Sequence, residues 1–141
     1  MSEQDAKTIA LASADIGVGP PYLTALHADH HDLAADEGAH DGGKGAAPSP
    51  FGLVLSGLGA CTAITLRMYA ERKGWPLSRV HVNLAYRIDG ETKYIDRILT
   101  LDGALDDGQR ARLADIAERT PVTLAIKAGL PIHTSLHAPV G

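Results

Sequence analysis

Cysteine is almost absent from this chain: Cys61 is the only one among 141 residues. An intramolecular disulfide is therefore impossible, which excludes a small secreted fold held together by disulfide bonds. Aromatic residues make up only 4% of the sequence, so the 45% that is hydrophobic consists mainly of Ala, Leu, Val and Ile. That fraction is enough for a core, and the length fits a single domain.

Excess positive charge and long hydrophobic runs are also missing. The net charge is −4 and the basic residues are dispersed, so the chain lacks the basic patch of a nucleic-acid-binding domain. The most apolar run, residues 51–64, is shorter than a membrane span and is interrupted by small polar residues. The first residues, MSEQDAKT, do not form a basic and apolar secretion signal. These absences predict a soluble cytoplasmic protein with no nucleic-acid or membrane partner.

Short extended segments and turns alternate in the first third of the chain. The residues between the segments are turn formers, Pro20-Pro21 in one place and the polar residues 29–32 in the other. Residues 36–49 contain four glycines and almost no large apolar side chain, which predicts a loop. The predicted strands are residues 8–12, 22–28 and 33–35.

A long apolar helix is predicted from Pro50 to Lys73. Ser49 is a favourable N-cap and Pro50 suits the first helical position, while Gly74 and the following proline end the helix. Its length would be about 36 Å at 1.5 Å per residue. Glycine is costly inside a helix, so three of them predict close approach of another element: Gly52, Gly57 and Gly59. Since so few strands can hardly cover so apolar a helix, we expect a homodimer built around it.

The second half of the chain predicts a hairpin, a capped helix and a last strand. Apolar residues alternate over 80–88, Asp89-Gly90 marks a turn, and residues 93–101 return as the second strand, with Ile95, Leu99 and Leu101 facing inwards. Asp106 and Gln109 fit a capping box for a helix that Thr120-Pro121 ends. Two segments complete the pattern, a helical turn at 122–126 and a strand at 130–136. Because strands cluster instead of alternating with helices, the fold class is α+β with a mostly antiparallel sheet.

Cys61 lies in the middle of the predicted helix. A single cysteine on an apolar helix face is usually a small buried hydrophobic residue. A reactive thiol needs access to solvent and a nearby cation, hydrogen bond or helix N-terminus. Cys61 lies about three turns into the helix, beyond the range of the helix dipole. The pattern by itself therefore favours an inert, structural cysteine.

Several segments resemble the OsmC/Ohr family. Residues 48–75, PSPFGLVLSGLGACTAITLRMYAERKGW, resemble its central helix, and AERTPV and GLPIHTSL fit its later segments. The segment HHDLAADE, followed by two glycines, resembles one subgroup. The resemblance covers about residues 27–136. It implies an OsmC-like fold, in which a mostly antiparallel sheet wraps around the long helix in an intertwined homodimer.

The same resemblance implies a thiol-dependent peroxidase that reduces organic hydroperoxides in an oxidative stress response. Cys61 matches the family's nucleophilic cysteine. Three other features of the family's site differ. Thr120 stands where the resolving cysteine is expected, and Phe51 stands where a glutamate is expected. The family's partner arginine is expected in the N-terminal region, but no arginine precedes Arg67. Because one chain cannot form the usual disulfide, an oxidised Cys61 would need an external thiol reductant.

Other residues could take over the missing roles. Glu37 and His31 could approach Cys61 from the loop or from a partner subunit and tune its reactivity. Alternatively, Asp36 and Glu37 are loop charges in solvent. An apolar pocket at the dimer interface would favour alkyl over hydrogen peroxide, and we expect it to be lined by Phe51, Leu55, Leu58 and Thr120. No cofactor is expected.

Two non-catalytic interpretations stay open. The loss of the second cysteine, the glutamate and the arginine favours an OsmC-like dimer that binds a small apolar or thiol-bearing ligand. A purely structural dimer with an inert Cys61 is the other possibility.

Seven histidines are many for this length. His27, His30 and His31, with neighbouring carboxylates, have donor atoms that suit zinc. Their spacing matches no metal motif, however, and turns favour Asp and His in any case. We therefore expect no metal.

Overall fold

The computed structural model describes residues 6–19 and 21–139. The elements in chain order are β1 Ala12–Asp15, β2 Thr24–Ala28, β3 His31–Ala35, a 3-10 turn Ala39–Asp41, α1 Pro50–Lys73, β4 Leu77–Asp89, β5 Thr92–Gly103, α2 Asp107–Ala117 and α3 Pro121–Ala128. The strands form antiparallel sheets of three and of two strands. The α+β class is thereby confirmed. The chain divides into two compact units, Met1–Ser56 and Gly57–Gly141, and helix α1 crosses the boundary.

The first unit contains the sheet β1-β2-β3. Asp29 and His30 close the hairpin between β2 and β3 with positive φ angles of 45° and 71°, as a two-residue hairpin turn requires. The turn is therefore shorter than predicted, and His31 already belongs to β3. The strand predicted at 8–12 is wrong, because the residues that pair with β2 are Ala12–Asp15. Of the predicted Pro20-Pro21 break, Pro20 lies outside the described residues.

Asp36 organises the predicted loop at residues 36–49. Its side chain is only 4% exposed. The backbone N–H groups of Ala46, Glu37 and Lys44 donate to its carboxylate at 3.0, 2.8 and 3.4 Å. These hydrogen bonds, with that from Ala46 first, lower the pKa of Asp36 because they favour the charged form. The alternative of a solvated loop charge is therefore wrong for Asp36.

Helix α1 begins and ends where the sequence predicts. Ser49 Oγ accepts a hydrogen bond from the Gly52 N–H at 3.0 Å, which is the N-cap interaction. At the other end Gly74 has a φ of +68°, and the Trp75 N–H donates to the carbonyl of Ala70 at 2.9 Å. The buried side of the helix is a stripe with a spacing of four residues: Leu58, Thr62, Leu66 and Ala70.

The hairpin β4–β5 supplies the sheet of the second unit. Val80 pairs with Leu101, and Val80, Leu99 and Leu101 pack against the core, so the predicted inward row is confirmed for these three residues. Helix α1 lies close to the hairpin at Gly59, where a Cβ atom would lie 2.9 Å from Leu84 Cδ1. The predicted close approach is thereby confirmed for Gly59. It is not seen at Gly57, whose Cβ would have no described neighbour within 4 Å.

Helices α2 and α3 follow the hairpin in the second unit, and α2 contributes Leu113 and Ala117 to its core. The capping box is confirmed: Asp106 Oδ1 accepts from the Gln109 N–H at 2.7 Å, and Gln109 Oε1 accepts from the Asp106 N–H at 3.0 Å. Helix α3 is longer than the predicted turn at 122–126. The core cluster consists of Leu66, Ala70, Leu77, Leu113 and Ala117.

The strand predicted at 130–136 is wrong. Residues 129–139 have no regular secondary structure, and the alternating apolar side chains Leu130, Ile132 and Leu136 are 71%, 88% and 99% exposed. A strand needs a neighbour for its backbone groups, and none of the described residues pairs with this segment.

Candidate thiol site

Cys61 lies at the border between two sides of helix α1. On one side are the buried residues Leu58 and Thr62, which are 5% and 0% exposed. On the other side are Ile64 and Met68, which are 58% and 46% exposed. Cys61 itself is half-buried and forms no disulfide. The thiol therefore stands beside an apolar surface that the described part of the chain leaves open.

Thr62, the residue after Cys61, belongs to a buried polar network. Its hydroxyl donates to the carbonyl of Leu58 at 2.7 Å and accepts a hydrogen bond from Arg97 Nη1 at 3.1 Å. The same Nη1 donates to Thr123 Oγ1 at 2.8 Å. The turn of α1 that carries Cys61 is thus connected to strand β5 and to helix α3.

The second nitrogen of the Arg97 guanidinium, Nη2, reaches the end of helix α2. It donates to the carbonyl of Ala117 at 2.9 Å and to Glu118 Oε2 at 3.2 Å. Lys127 Nζ lies 2.7 Å from the other oxygen of the same carboxylate. Lys127 first and Arg97 second hold the pKa of Glu118 below its ordinary value. The side chain of Arg97 is 11% exposed, whereas that of Glu118 is 58% exposed.

Arg97 was missed in the sequence, although a signal for it exists. In β5 it occupies the same alternating positions as Ile95, Leu99 and Leu101, and it pairs with Leu84 of the inward row. A charged residue at the same alternating positions as inward-facing apolar residues also points into the protein. A buried charge of this kind requires hydrogen-bond or ion-pair partners. The period-two pattern therefore predicts a buried arginine here.

Thr120 is fully buried at the N-terminus of helix α3. Its side chain is 0% exposed, and its hydroxyl lies 2.6 Å from Thr123 Oγ1. It also caps the helix by accepting from the Thr123 N–H at 3.4 Å. Cys61 and Thr120 therefore belong to the same unit, and the network of Thr123, Arg97 and Thr62 links their surroundings.

The other predicted site residues lie in the first unit. His31 is exposed at the start of β3, and Glu37 is half-buried next to Asp36. Phe51 is 47% exposed and Leu55 is half-buried, both in the first turns of α1. The approach of Glu37 and His31 to Cys61, and the pocket of Phe51, Leu55, Leu58 and Thr120, stay predictions.

The histidines near the first hairpin form a small polar cluster. His27 Nδ1 lies 2.9 Å from Asp32 Oδ1, and the rings of His27 and His30 stand edge to face at 6.5 Å. Within residues 6–19 and 21–139, no three His, Cys, Asp or Glu side chains are arranged to hold a metal ion.

By length and composition, helix α1 could cross a membrane. The mean hydropathy of its most apolar window is 1.5, and 17% of that window is buried. One such helix is weak evidence for a membrane span, because the buried core helix of a soluble protein passes the same test.

Comparison with known proteins agrees with this fold. The sequence model of the family described as "OsmC-like protein" matches residues 42–135. No curated protein sequence matches the chain.

Three solved structures show the likeness of the fold. The OsmC-like protein from Mycoplasma pneumoniae is 16% identical, with a TM-score of 0.69 over 87% of this chain and 89% of that one. The organic hydroperoxide resistance protein OsmC from Legionella pneumophila is 21% identical, with a TM-score of 0.65 over 87% and 92%. The organic hydroperoxide resistance protein OhrB of Bacillus subtilis is 19% identical, with a TM-score of 0.60 over 85% and 91%.

At these identities the structures support the OsmC/Ohr fold alone, whereas the family match covers well over half of the chain. The chain belongs to the OsmC-like protein family.

Proposed function

We propose that this protein is a thiol-dependent peroxidase that reduces organic hydroperoxides through Cys61. The observation that carries the proposal is the position of the thiol, half-buried beside the exposed apolar residues Ile64 and Met68. An alkyl hydroperoxide has an apolar tail that this surface suits, whereas hydrogen peroxide has none. Two structural neighbours are named organic hydroperoxide resistance proteins, which supports the same substrate class.

The chemistry needs one cysteine and two external thiols. The Cys61 thiolate attacks the outer oxygen of the hydroperoxide, the O–O bond breaks, and the alcohol leaves after it gains a proton. Cys61 is then a sulfenic acid. One external thiol condenses with it, releasing water and leaving a mixed disulfide. A second thiol attacks that disulfide, restores Cys61 and leaves as the disulfide of the reductant.

An external reductant is needed because Thr120 stands in place of a resolving cysteine. In place of a resolving thiol this position offers a hydroxyl bound to Thr123, which cannot reduce a sulfenic acid. Glu37 and His31 are the proposed groups that tune the thiol, and Phe51, Leu55, Leu58 and Thr120 the proposed lining of the pocket.

We also propose that the active form is a homodimer. Large apolar side chains on the open side of α1 would face water in a single chain, among them Ile64 and Met68. Large exposed apolar patches usually mark an interface. A second copy that covers this side would convert the surface next to Cys61 into an enclosed pocket. We further propose that the protein acts in the cytoplasm.

The test is stopped-flow consumption of an alkyl hydroperoxide in the presence of a small thiol. Wild type is expected to turn over, and Cys61→Ser to lose turnover while retaining its fold by circular dichroism. Thr65→Ser, a similarly small change one turn along α1, is the control and should keep its activity. Equal consumption by wild type and Cys61→Ser would refute the proposal.

The second candidate function is a non-catalytic dimer that binds a small apolar or thiol-bearing ligand. It is favoured by the thiol's surroundings, because the described residues 57–139 give the Cys61 sulfur no hydrogen bond or ion pair. Slow labelling of Cys61 by iodoacetamide at neutral pH, together with no peroxide turnover, would support this alternative.

A further inference from the structure

We infer that Arg97 is a positioning residue for Cys61, because it fixes the turn of α1 that carries the thiol against the corner between α2 and α3. The inference deepens the proposed function and rests on it, since it names the group that prepares Cys61 for reaction.

The hydrogen bonds of Arg97 connect three elements at one place. Nη1 joins Thr62 on α1 to Thr123 on α3, at 3.1 and 2.8 Å. Nη2 binds the carbonyl of Ala117 at the end of α2, where a helix leaves carbonyl groups without intrahelical partners. A planar guanidinium can hold these acceptors together because its donors point in fixed directions.

Thr62 connects the hydrogen bonds of Arg97 to the turn that carries the thiol. It directly follows Cys61, and its own hydroxyl binds the carbonyl of Leu58 at 2.7 Å. The turn from Leu58 to Thr62 is therefore closed by a side chain that Arg97 holds from outside the helix. Movement of Cys61 relative to β5 would break the bond between Thr62 and Arg97.

The cluster also carries an excess of positive charge. Arg97 and Lys127 share one carboxylate, that of Glu118, whose bond to Lys127 is the shorter one at 2.7 Å against 3.2 Å. Two cations and one anion leave a net positive charge, and the cation that is mostly buried is Arg97. Arg97 is therefore held in place by an ion pair as well as by its hydrogen bonds.

The test compares Arg97→Gln and Thr62→Val with Arg110→Gln. Arg97→Gln removes the positive charge and the hydrogen bonds of the guanidinium. Thr62→Val keeps the charge but removes the hydrogen bond between Arg97 and residue 62. Arg110 is the matched control, because it also binds two backbone carbonyls, of Leu101 and Gly103 at 2.6 and 3.1 Å. The readout is the pH profile of Cys61 alkylation by iodoacetamide, with circular dichroism for the fold.

Both test variants are expected to alkylate about fivefold more slowly than wild type across the pH range, because the turn that carries Cys61 is no longer held in place. Arg110→Gln should lower the melting temperature without moving the profile. An unchanged profile in folded Arg97→Gln overturns the inference. If Arg97→Gln does not fold, an unchanged profile in Thr62→Val overturns it instead.

Alkylation requires no hydroperoxide, so the two proposals can fail separately. Slower alkylation in the two test variants, without peroxide turnover in wild type, would refute the peroxidase and leave the positioning role of Arg97. Turnover of the hydroperoxide by wild type, together with unchanged alkylation profiles in Arg97→Gln and Thr62→Val, would support the peroxidase and refute the positioning role of Arg97.

Discussion

The hydroxyl groups of Thr120 and Thr123 lie 2.6 Å apart in a fully buried corner, and the second of them accepts a hydrogen bond from Arg97. Arg97 also holds Thr62 next to Cys61. The position that would carry a resolving cysteine in the OsmC/Ohr family is thus occupied by a residue that stabilises the start of helix α3.

Thr120→Cys is predicted to restore an internal disulfide. After one equivalent of alkyl hydroperoxide, residue 120 should react with the sulfenic acid of Cys61, because Thr123 and Arg97 hold this corner next to the turn of Cys61. Peptide mapping under non-reducing conditions would detect the bond. Thr92→Cys, at the exposed end of the β4–β5 hairpin, is the control. A stable sulfenic acid in Thr120→Cys would contradict the prediction.

Asp36 is predicted to make stability depend on pH. Its pKa is lowered in the folded protein, so its contribution is fully present above the unfolded pKa of about 3.9. That contribution is lost as the pH falls from there through the folded pKa. Urea unfolding between pH 6 and about pH 3 should therefore show a fall in stability that is smaller in Asp36→Asn.

Asp41→Asn is the matched control for Asp36→Asn. Asp41 is exposed on the same loop, so its replacement should leave the pH dependence unchanged. In addition, Asp36→Asn should accelerate tryptic cleavage after Lys44, whose backbone N–H binds the Asp36 carboxylate. Equal pH dependence in wild type and Asp36→Asn would show that the three backbone hydrogen bonds do not stabilise the loop.

Two glycines of α1 are predicted to respond differently to alanine. Gly57→Ala meets no described atom within 4 Å and should stabilise the helix by about 0.5–1 kcal/mol through helix propensity. Gly59→Ala should gain less, because its Cβ would lie 2.9 Å from Leu84 Cδ1 and that side chain must move. Thermal and urea unfolding measure the difference. A larger gain at Gly59 than at Gly57 would be inconsistent with the packing of α1 on β4.

Ile64→Glu and Met68→Glu are predicted to break the proposed dimer. Each places a charge in the exposed apolar surface of α1 beside Cys61, and a buried unpaired charge is strongly unfavourable. Sedimentation equilibrium should show a dimer for wild type and monomers for both variants. Ile98→Glu, at a 63% exposed isoleucine of β5, is the control. A monomeric wild type, or dimeric variants, would rule out an interface on this side of α1.

The first unit shows where local patterns were insufficient. The polar stretch at Asp29 and His30 was correctly interpreted as a turn, because two residues with positive φ depend mainly on their own neighbours in sequence. The burial of Asp36 could not be predicted in this way. Its partners Lys44 and Ala46 are eight and ten residues away, and the loop must first fold back to bring them together.

By itself the sequence determined both ends of α1, the start of α2 and the phase of the main hairpin. Ser49 and Gly74 set the bounds of α1, and Asp106 with Gln109 set the start of α2, because each signal acts over a few residues of backbone. Only the tertiary structure decided which polar groups are buried and which apolar groups are left open. The bond between Thr62 and Arg97 spans 35 residues, and the segment at 130–136 lacks a described neighbour despite its alternation. Both outcomes depend on contacts between distant parts of the chain, which no short pattern contains.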